Sequence, residues 1–378
     1  MRFKDIQANE SLKDVLRKDI KLNRVSHAQV FLGNKGNAKL ALALAYSQYL
    51  NCIQKEEEDS CDKCESCIKY KNLSHPDLHF IYPVIKNNTQ KKAISQTYLS
   101  EWRAAISNNP YLSLDDWLRQ IVQDNKTGKR GVIYKDEADN VHKTLRLKKY
   151  ESKYRVFLVW MPEQMNLEAS NKLLKVLEEP PEGTVFLFVS ENIDSMISTI
   201  KSRLQKLKIP DFKDKDIKAH LSEKNISENK LKQLSYVTNN NLGEIIKIID
   251  DEEEEMDFFK EFSTWMRIIY KEDILSISQW VEESCKKGKR LQRLFLIYAI
   301  NIIRECILFS TGNTQLLRST EKEQEFIRKF SPFVHGKNSV LLFEKLESAI
   351  KLLDRNANLK IHLFNLSIQM ARLVKTKM

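Results

Sequence analysis

Short apolar runs alternate with helical patterns through the first half of the chain. The runs predict strands at AQVFLG (28–33), YRVFLVW (154–160), TVFLFVS (184–190) and KLKI (206–209). Three helical patterns lie between them, AKLALALAYSQYL (38–50), NLEASNKLLKVLEE (166–179) and SMISTIKSR (195–203). Asn166 is placed to cap the second helix, and Pro180 stops it. Doubly apolar strands separated by helices predict an α/β domain, a parallel sheet with helices on both faces.

The strand signals end at Pro210. Three short amphipathic helices are predicted next, DIKAHLSEK (216–224), ENKLKQLSYV (228–237) and LGEIIKIID (242–250). The acidic run DDEEEE (250–255) then marks a boundary before longer helices, including RLQRLFLIYAINIIRECILF (290–309) and SVLLFEKLESAIKLLDR (339–355). The pattern predicts three domains: 1–209, 210–255 and 256–378.

Composition agrees with a helix-rich globular protein. The chain has 378 residues, of which 42% are hydrophobic and 30% charged, with only 9 Gly and 8 Pro. It contains no run of eighteen apolar residues, and its first residues lack the apolar core of a signal peptide. We therefore expect a cytoplasmic protein, without membrane partners, whose cysteines are reduced.

The net charge of +11 leaves two interpretations open. It would suit an acidic partner such as nucleic acid. Many lysines, however, stand beside glutamates in solvated helices such as EEEEMDFFKEF (252–262). Charge alone therefore does not decide whether the chain approaches nucleic acid.

A cysteine cluster is the first candidate for chemistry. Four cysteines share one short stretch, CIQKEEEDSCDKCESC: Cys52, Cys61, Cys64 and Cys67. Four thiolates complete the closed tetrahedral shell of structural zinc and leave no position for a catalytic water. The spacing matches no common ferredoxin pattern, and unconnected buried or redox cysteines are the remaining alternative. His75 and His79 nearby are interpreted as structural, and Cys285 and Cys306 as core residues.

The stretch FLGNKGNAKL (31–40) is the second candidate. Gly33 and Lys39 match the first and seventh positions of a phosphate-binding loop, and the strand and helix on either side provide the required context. Ala38 replaces the second glycine, and Leu40 replaces the hydroxyl residue that would hold magnesium. Lys39 is interpreted either as a helix-end charge or as a phosphate ligand. Weak anion binding at the helix N-terminus stays open.

The features together resemble the AAA+ subunits of bacterial clamp loaders. The resemblance rests on the loop and the helix that ends at Cys52, the cysteine cluster, HPDLHF (75–80), LLKVLEEPPEGTVFLFVS (173–190) and KSR (201–203). It implies an AAA+ domain with a zinc module at 52–67, a helical lid at 210–255 and an all-α collar at 256–378. Residues 84–130 fit poorly. They are expected to be an insertion with one or two helices, in which Trp102 and Trp117 are packing residues.

The resemblance also implies that no functional ATP site remains. Active members carry acidic residues where this chain has Trp160 and Met161, and the second sensor arginine where it has Gly243. Indole and thioether groups cannot bind magnesium or orient the attacking water. Glu163 corresponds to a general surface acid, so its use as a substitute would need a shift of the chain.

The resemblance also implies a role for Arg203. In IKSRLQ it occupies the arginine position of the family's Ser-Arg-Cys motif, with Ser202 retained and Leu204 in place of the cysteine. In clamp loaders that arginine reaches the ATP site of a neighbouring subunit. The alternative is an ordinary cation near a helix C-terminus.

The leading hypothesis is a non-hydrolysing clamp-loader subunit within a hetero-pentamer. By resemblance its partners are the gamma or tau ATPase subunits, the delta subunit, the sliding clamp and, through the assembly, primed DNA. It would be part of the DNA polymerase III holoenzyme without being an ATPase itself. Two alternatives are an ATP-hydrolysing gamma- or tau-type subunit and a free-standing zinc-dependent nucleic-acid-binding protein.

Overall fold

The computed structural model describes residues 1–86, 92–122, 130–222, 224, 226–250, 257–354 and 358–376. The chain divides into two compact units. The first comprises residues 1–226 and 241–247, and the second 227–240 and 248–378. The predicted domain boundaries near 209 and 255 remain predictions.

A five-stranded parallel sheet forms the centre of the first unit. In chain order its strands are β1 (Ala28–Leu32), β2 (Leu78–Ile81), β3 (Arg155–Trp160), β4 (Thr184–Ser190) and β5 (Gln205–Lys208). The spatial order is β2-β3-β4-β1-β5, and all neighbours run parallel. The four predicted strands are confirmed. The short strand β2 lies inside the HPDLHF motif and was not predicted.

Nine helices of the first unit lie in its described part. They are α1 (Glu10–Lys21), α2 (Lys39–Asn51), α3 (Glu65–Lys71), α4 (Leu99–Asn108), α5 (Leu114–Ile121), α6 (Lys135–Leu145), α7 (Leu167–Glu178), α8 (Ser198–Lys201) and α9 (Asp214–His220). The Asn166 side chain accepts a hydrogen bond from the Ala169 amide at 2.8 Å, so the predicted cap of α7 is confirmed.

Both faces of the sheet are covered, as the doubly apolar strands predicted. On one face, β1, β3 and β4 share a core with α6, α7 and α8 that includes Val30, Phe157 and Phe186. On the other face lies α2. Its Tyr46 ring packs against Phe31, with ring centroids 6.1 Å apart. Every residue of α2 is buried, which explains its unbroken alanine and leucine pattern.

The second unit is helical in its described part. It contains α10 (Glu228–Thr238), α12 (Phe258–Lys271), α13 (Ile274–Lys286), α14 (Gly288–Ser310), α15 (Glu321–Phe330), α16 (Ser339–Asp354) and α17 (Leu359–Val374). Its core is rich in aromatic rings, and Trp265 stacks on Trp280 with centroids 5.3 Å apart. The Trp265 indole N–H donates to the Ser367 hydroxyl at 2.9 Å, so this buried polar group is satisfied.

Helix α11 (Leu242–Asp250) begins in the first unit and ends in the second. The three short helices predicted after Pro210 are thus confirmed as α9, α10 and α11. Most of the acidic run that follows them, at 251–255, lies outside the described residues. Among the described helices, none combines the length and apolar character that crossing a membrane requires.

The segment at 84–130 carries two helices, α4 and α5, as predicted. Its residues 87–91 and 123–129 lie outside the described part of the chain. Trp102 and Trp117 are fully buried, and their rings make an edge contact at 5.0 Å. Both are therefore packing residues, as expected.

Candidate metal centre and degenerate phosphate-binding loop

The four clustered cysteines converge on one point. Cys52 caps the C-terminus of α2 and Cys64 caps the N-terminus of α3, so two helix ends and the loop between them position the thiols. All four Sγ atoms lie within 4.8 Å of one another, and Cys61 Sγ is 3.6 Å from that of Cys52 and 3.9 Å from that of Cys67. Thiolates bound tetrahedrally to zinc lie about 3.8 Å apart. The spacing therefore fits zinc, and it is too long for disulfides.

Backbone amides point at the sulfur atoms. The amides of Cys61, Cys64 and Cys67 donate to the Sγ atoms of Cys52, Cys61 and Cys64 at 3.4, 3.4 and 3.5 Å. Burial raises the pKa of the Cys64 thiol, but hydrogen bonds from the backbone amides of Cys67 and Ile53 and from the thiols of Cys67 and Cys61 together lower that pKa to about 6. Burial raises the pKa of Cys52 and Cys67. Amide donors of this kind stabilise thiolates, the form that binds metal.

Neither nearby histidine belongs to the cluster. His75 Nδ1 accepts from the Asp77 amide at 3.1 Å, and its Nε2 lies 3.0 Å from the Ser152 hydroxyl. His79 stacks on Phe157 with centroids 4.9 Å apart, and burial lowers the pKa of its imidazole to about 4. Within the described residues the four cysteines are the candidate metal ligands, and the histidines are structural.

The candidate phosphate-binding loop joins β1 to α2, and side chains of this chain fill the space around its glycines. The Asn37 amide nitrogen donates to the Ile209 carbonyl at 3.0 Å, and its oxygen accepts from the Lys39 backbone amide at 3.1 Å. A Cβ atom on Gly33 would stand 1.9 Å from the Asn37 amide nitrogen. Gly36 has a φ of +70°, and a Cβ there would stand 1.7 Å from the Asn241 side chain. Both glycines therefore permit close approach of side chains to the loop.

Lys39 is held by groups of its own chain. Its Nζ donates to the Asn34 carbonyl at 2.6 Å and lies 3.5 Å from Glu191 Oε1, an ion pair at longer range. The lysine side chain is 4% exposed and that of Glu191 is 15% exposed. Burial lowers the pKa of Lys39 and raises that of Glu191, while each charge partly offsets the shift of the other. A carboxylate thus neutralises the amine that a phosphate would otherwise contact.

The residues at the expected acid positions lie in the core. Trp160 ends β3 and is 1% exposed, with its ring 5.0 Å from that of Trp102. Met161 is buried and adopts a left-handed backbone with φ 53°. Glu163 is engaged elsewhere, since its two oxygens accept from the Ser190 hydroxyl and the Glu191 amide at 2.9 Å each.

Gly243 and Arg203 have partners of their own within the chain. A Cβ atom on Gly243 would stand 2.2 Å from the Tyr111 carbonyl oxygen. The Arg203 guanidinium donates to the Thr199 carbonyl at 2.5 Å and pairs with Glu178. Within this chain, Arg203 therefore has the contacts of a helix-end cation.

Three residues at this site escaped sequence reasoning: Glu191, Asn241 and Tyr111. Only Glu191 left a usable signal, because it directly follows the apolar run of β4, and β4 is the neighbour of β1. Polar residues at the carboxyl ends of parallel strands line the crevice where such sheets bind ligands. Asn241 and Tyr111 belong to separate segments and are placed by tertiary packing alone.

Comparison with known proteins adds the family. The family model described as "DNA polymerase III, delta subunit" matches residues 8–213, more than half of the chain. The chain belongs to this family. The predicted resemblance to the clamp-loader subunits of DNA polymerase III, with delta prime among them, is confirmed.

Comparison with individual proteins gives the same family. The chain is 27% identical over 239 residues to "DNA polymerase III subunit delta'" of Bacillus subtilis (strain 168), covering 63% of this chain and 58% of that one. It is 25% identical over 227 residues to "DNA polymerase III subunit tau/gamma" of Haemophilus influenzae, covering 60% of this chain and 26% of the relative. In both cases the match spans less than two thirds of the relative's length.

Among solved structures, the chain matches a DNA polymerase III gamma subunit-related protein from Thermotoga maritima. The match has 13% identity and a TM-score of 0.40, and covers 96% of this chain and 99% of that chain.

We expect the cysteine cluster to bind about one zinc ion per chain, because four thiolates at this spacing form a closed tetrahedral site. Elemental analysis of protein purified without added zinc would measure it. Cys64→Ser should lower the zinc content strongly, and Cys285→Ser, at a half-buried cysteine outside the cluster, should not change it. Metal-free protein that keeps the wild-type melting temperature, or full zinc content in Cys64→Ser, would contradict this assignment.

Restoring an acid at the end of β3 should damage the fold. Trp160→Asp places a carboxylate within a buried aromatic cluster and removes a large ring, at a cost of about 3–5 kcal/mol. Urea denaturation followed by circular dichroism should show a clear drop in midpoint, with a smaller one for Trp160→Phe. A wild-type midpoint in Trp160→Asp would show that the ring is dispensable.

Proposed function

We propose that this chain is a non-hydrolysing clamp-loader subunit of the delta prime type. The observation that carries the proposal is the state of the phosphate site, where Lys39 pairs with Glu191 and buried Trp160 stands at an expected acid position. Phosphoryl transfer depends on magnesium, which takes oxygen ligands, and on a group that orients the attacking water. The side chains of Leu40, Trp160 and Met161 supply neither.

The charges at the loop also argue against ATP binding and hydrolysis by this chain. A nucleotide would bring phosphate charge beside the Glu191 carboxylate, and the Lys39 amine would have to exchange its present partners for phosphate oxygens. A buried like charge disfavours such binding strongly. Nucleotide at this loop would therefore be bound weakly, and hydrolysis would lack its metal.

The helical second unit supports a role in assembly. Helix α16 exposes apolar side chains at Val340, Leu341 and Phe343, which are 64%, 43% and 40% exposed. We assign residues 256–378 to an oligomerising collar, 210–255 to a lid and 1–209 to the AAA+ domain, because exposed apolar helix faces are commonly buried between subunits. The proposed partners are gamma or tau subunits, a delta subunit, the sliding clamp and primed DNA, and the site of action is the cytoplasm.

Arg203 is the residue through which this chain is proposed to promote ATP hydrolysis in a neighbouring subunit. Its position in the KSR stretch implies that it serves the ATP site of a neighbouring subunit. A guanidinium there stabilises the charge that develops on the transferring phosphoryl group. Arg203 is 31% exposed and Glu178 is 46% exposed, so their pair lies at the surface and can exchange for a stronger phosphate contact on assembly.

An ATP-hydrolysing gamma- or tau-type role has one observation in its favour, the 25% identity to the Haemophilus subunit. That identity does not supply acidic side chains at Trp160 and Met161. The hydrolysing alternative is therefore disfavoured.

We expect the purified chain to hydrolyse ATP at the background rate, since magnesium ligands and the water-orienting acid are missing at the predicted positions. A coupled assay with Mg-ATP would measure turnover. Leu40→Thr, which restores a hydroxyl at one position only, should stay at background. Turnover by wild-type chain that disappears in Lys39→Ala would make the chain an ATPase.

Arg203→Ala should leave the chain folded and assembled while clamp loading falls sharply. Fingers supplied in trans are worth about a thousandfold or more in GTPases, but several ATP sites share one assembly, so bulk ATP turnover should fall modestly. Arg203→Lys should rescue poorly, because an ammonium cannot reproduce the planar fork.

Reconstituted complexes with matched assembly would provide the comparison. Lys201→Ala is the control, since this cation is the last residue of α8, two residues before Arg203, and pairs with Asp194 at 3.6 Å. Loading at the wild-type rate with Arg203→Ala would leave Arg203 a helix-end cation and the subunit without a catalytic contribution.

A further inference from the structure

The segment that carries α4 and α5 is fixed to the sheet by an aromatic cluster. The Tyr82 ring, just after β2, stacks on Trp102 of α4 with centroids 4.2 Å apart and makes an edge contact with Trp117 of α5 at 5.0 Å. Trp160 of β3 completes the cluster. The Trp117 indole N–H donates to the Pro83 carbonyl at 2.7 Å, so its polar group is satisfied. Stacked and edge contacts of buried rings make this attachment rigid.

From this anchored base, the turn between α4 and α5 reaches the beginning of α11. The Asn109 side chain donates to the Gly243 carbonyl at 3.1 Å. The Tyr111 carbonyl oxygen occupies the space next to Gly243 where a side chain would project, 2.2 Å from an ideal Cβ position. Asp116 of α5 pairs with Lys247 one turn further along α11. Three independent contacts therefore join this turn and α5 to residues 243–247.

The ion pair between Asp116 and Lys247 is stronger than an ordinary surface ion pair. The Asp116 and Lys247 side chains are 14% and 23% exposed. Burial raises the pKa of the Asp116 carboxyl, but the charge of Lys247 and the hydrogen bonds from Lys247 and Ser113 together outweigh it, and the net pKa is lowered. A partly buried pair whose acid also accepts from Ser113 is held more firmly than an exposed pair.

The same turn of α11 lies against the phosphate loop. Asn241 caps the helix by accepting from the Glu244 amide at 3.0 Å, and its side chain packs on Gly36. Residues 241–247 belong to the same compact unit as the sheet. In a functioning phosphate site, nucleotide bound at the loop would contact whichever element covers it. Here the element that covers the loop, residues 241–247 at the start of α11, is held by contacts with the α4–α5 segment of the same chain.

We propose that the segment 99–121 replaces nucleotide as the element that holds the first turns of α11 on the phosphate loop. The contacts of Asn109, Tyr111 and Asp116 supply in cis the binding free energy that nucleotide would supply in trans. The position of residues 241–247 is consequently independent of ATP. This inference goes beyond the proposed function, because it concerns how the lid is held and not whether ATP is cleaved.

Gly243→Ala tests the proposal in the full chain. In an unobstructed helix, alanine in place of glycine is stabilising. Here the new methyl group meets backbone, so residues 241–247 must separate from the turn at Tyr111. Hydrogen exchange measured by mass spectrometry should be about tenfold or more faster in peptides covering 241–247. Gly336→Ala is the control, since a Cβ there has nothing within 4 Å, and it should leave the exchange of 241–247 unchanged.

Lys247→Gln is the second variant, because it removes one partly exposed amine and leaves the backbone clear. It should accelerate exchange of 241–247 in the same direction by a smaller factor. Saturating Mg-ATP should leave exchange of 241–247 in wild-type protein unchanged. The proposal is overturned if both variants exchange like wild type, or if Mg-ATP protects 241–247. ATP turnover in the same samples reports on the proposed function separately.

Discussion

The indole of Trp160 sets the constraint on which this structure depends. A residue at the end of β3 can present a carboxylate to a metal or bury a ring, and it cannot do both. A buried, unpaired carboxylate would cost several kcal/mol, whereas a buried ring adds about 0.5–1.5 kcal/mol per aromatic contact beyond its area. The chain has the ring, and Trp160 meets Trp102 of the segment between β2 and β3. Trp160 therefore stands at the expected acid position and also anchors that segment.

At the phosphate loop, too, groups of the chain itself occupy the surroundings of the key side chain, here the charged Lys39. Lys39 is buried, and a buried amine needs partners because its desolvation is not repaid by packing. The Asn34 carbonyl and the Glu191 carboxylate supply them. The pair is weak support for stability, since the attraction little more than offsets the burial of two charges. Removing either partner alone would strand the other at a cost of about 3–5 kcal/mol. This asymmetry accounts for a lysine that stays buried beside Glu191.

Sequence reasoning reached the features that local patterns encode. Four strands, the helices α2, α7 and α8 and the Asn166 cap follow from hydrophobic period and capping chemistry, and the Cys52 to Cys67 cluster follows from spacing. Helices α3 and α6 were not predicted. Strand β2 was missed because four residues show too little periodicity to separate a strand from a motif. Glu191 on Lys39, Asn241 on Gly36 and Tyr111 beside Gly243 are contacts between distant segments. Their partners are decided by tertiary packing, which no local pattern records.

Helix α2 connects the two candidate sites. Its first residue, Lys39, lies at the phosphate loop, and Cys52 follows its last residue in the metal cluster. At 1.5 Å per residue the helix separates them by about 20 Å. Every residue between them is buried, so movement at one end would have to be accommodated throughout the core, which is close-packed and resists deformation. Lys39 at one end of α2 pairs with Glu191, and Cys52 at the other end lies in the cysteine cluster, so both ends are held by contacts within the chain. Under the proposed function, a helix held in this way would give neighbouring subunits a surface that does not move with ATP turnover.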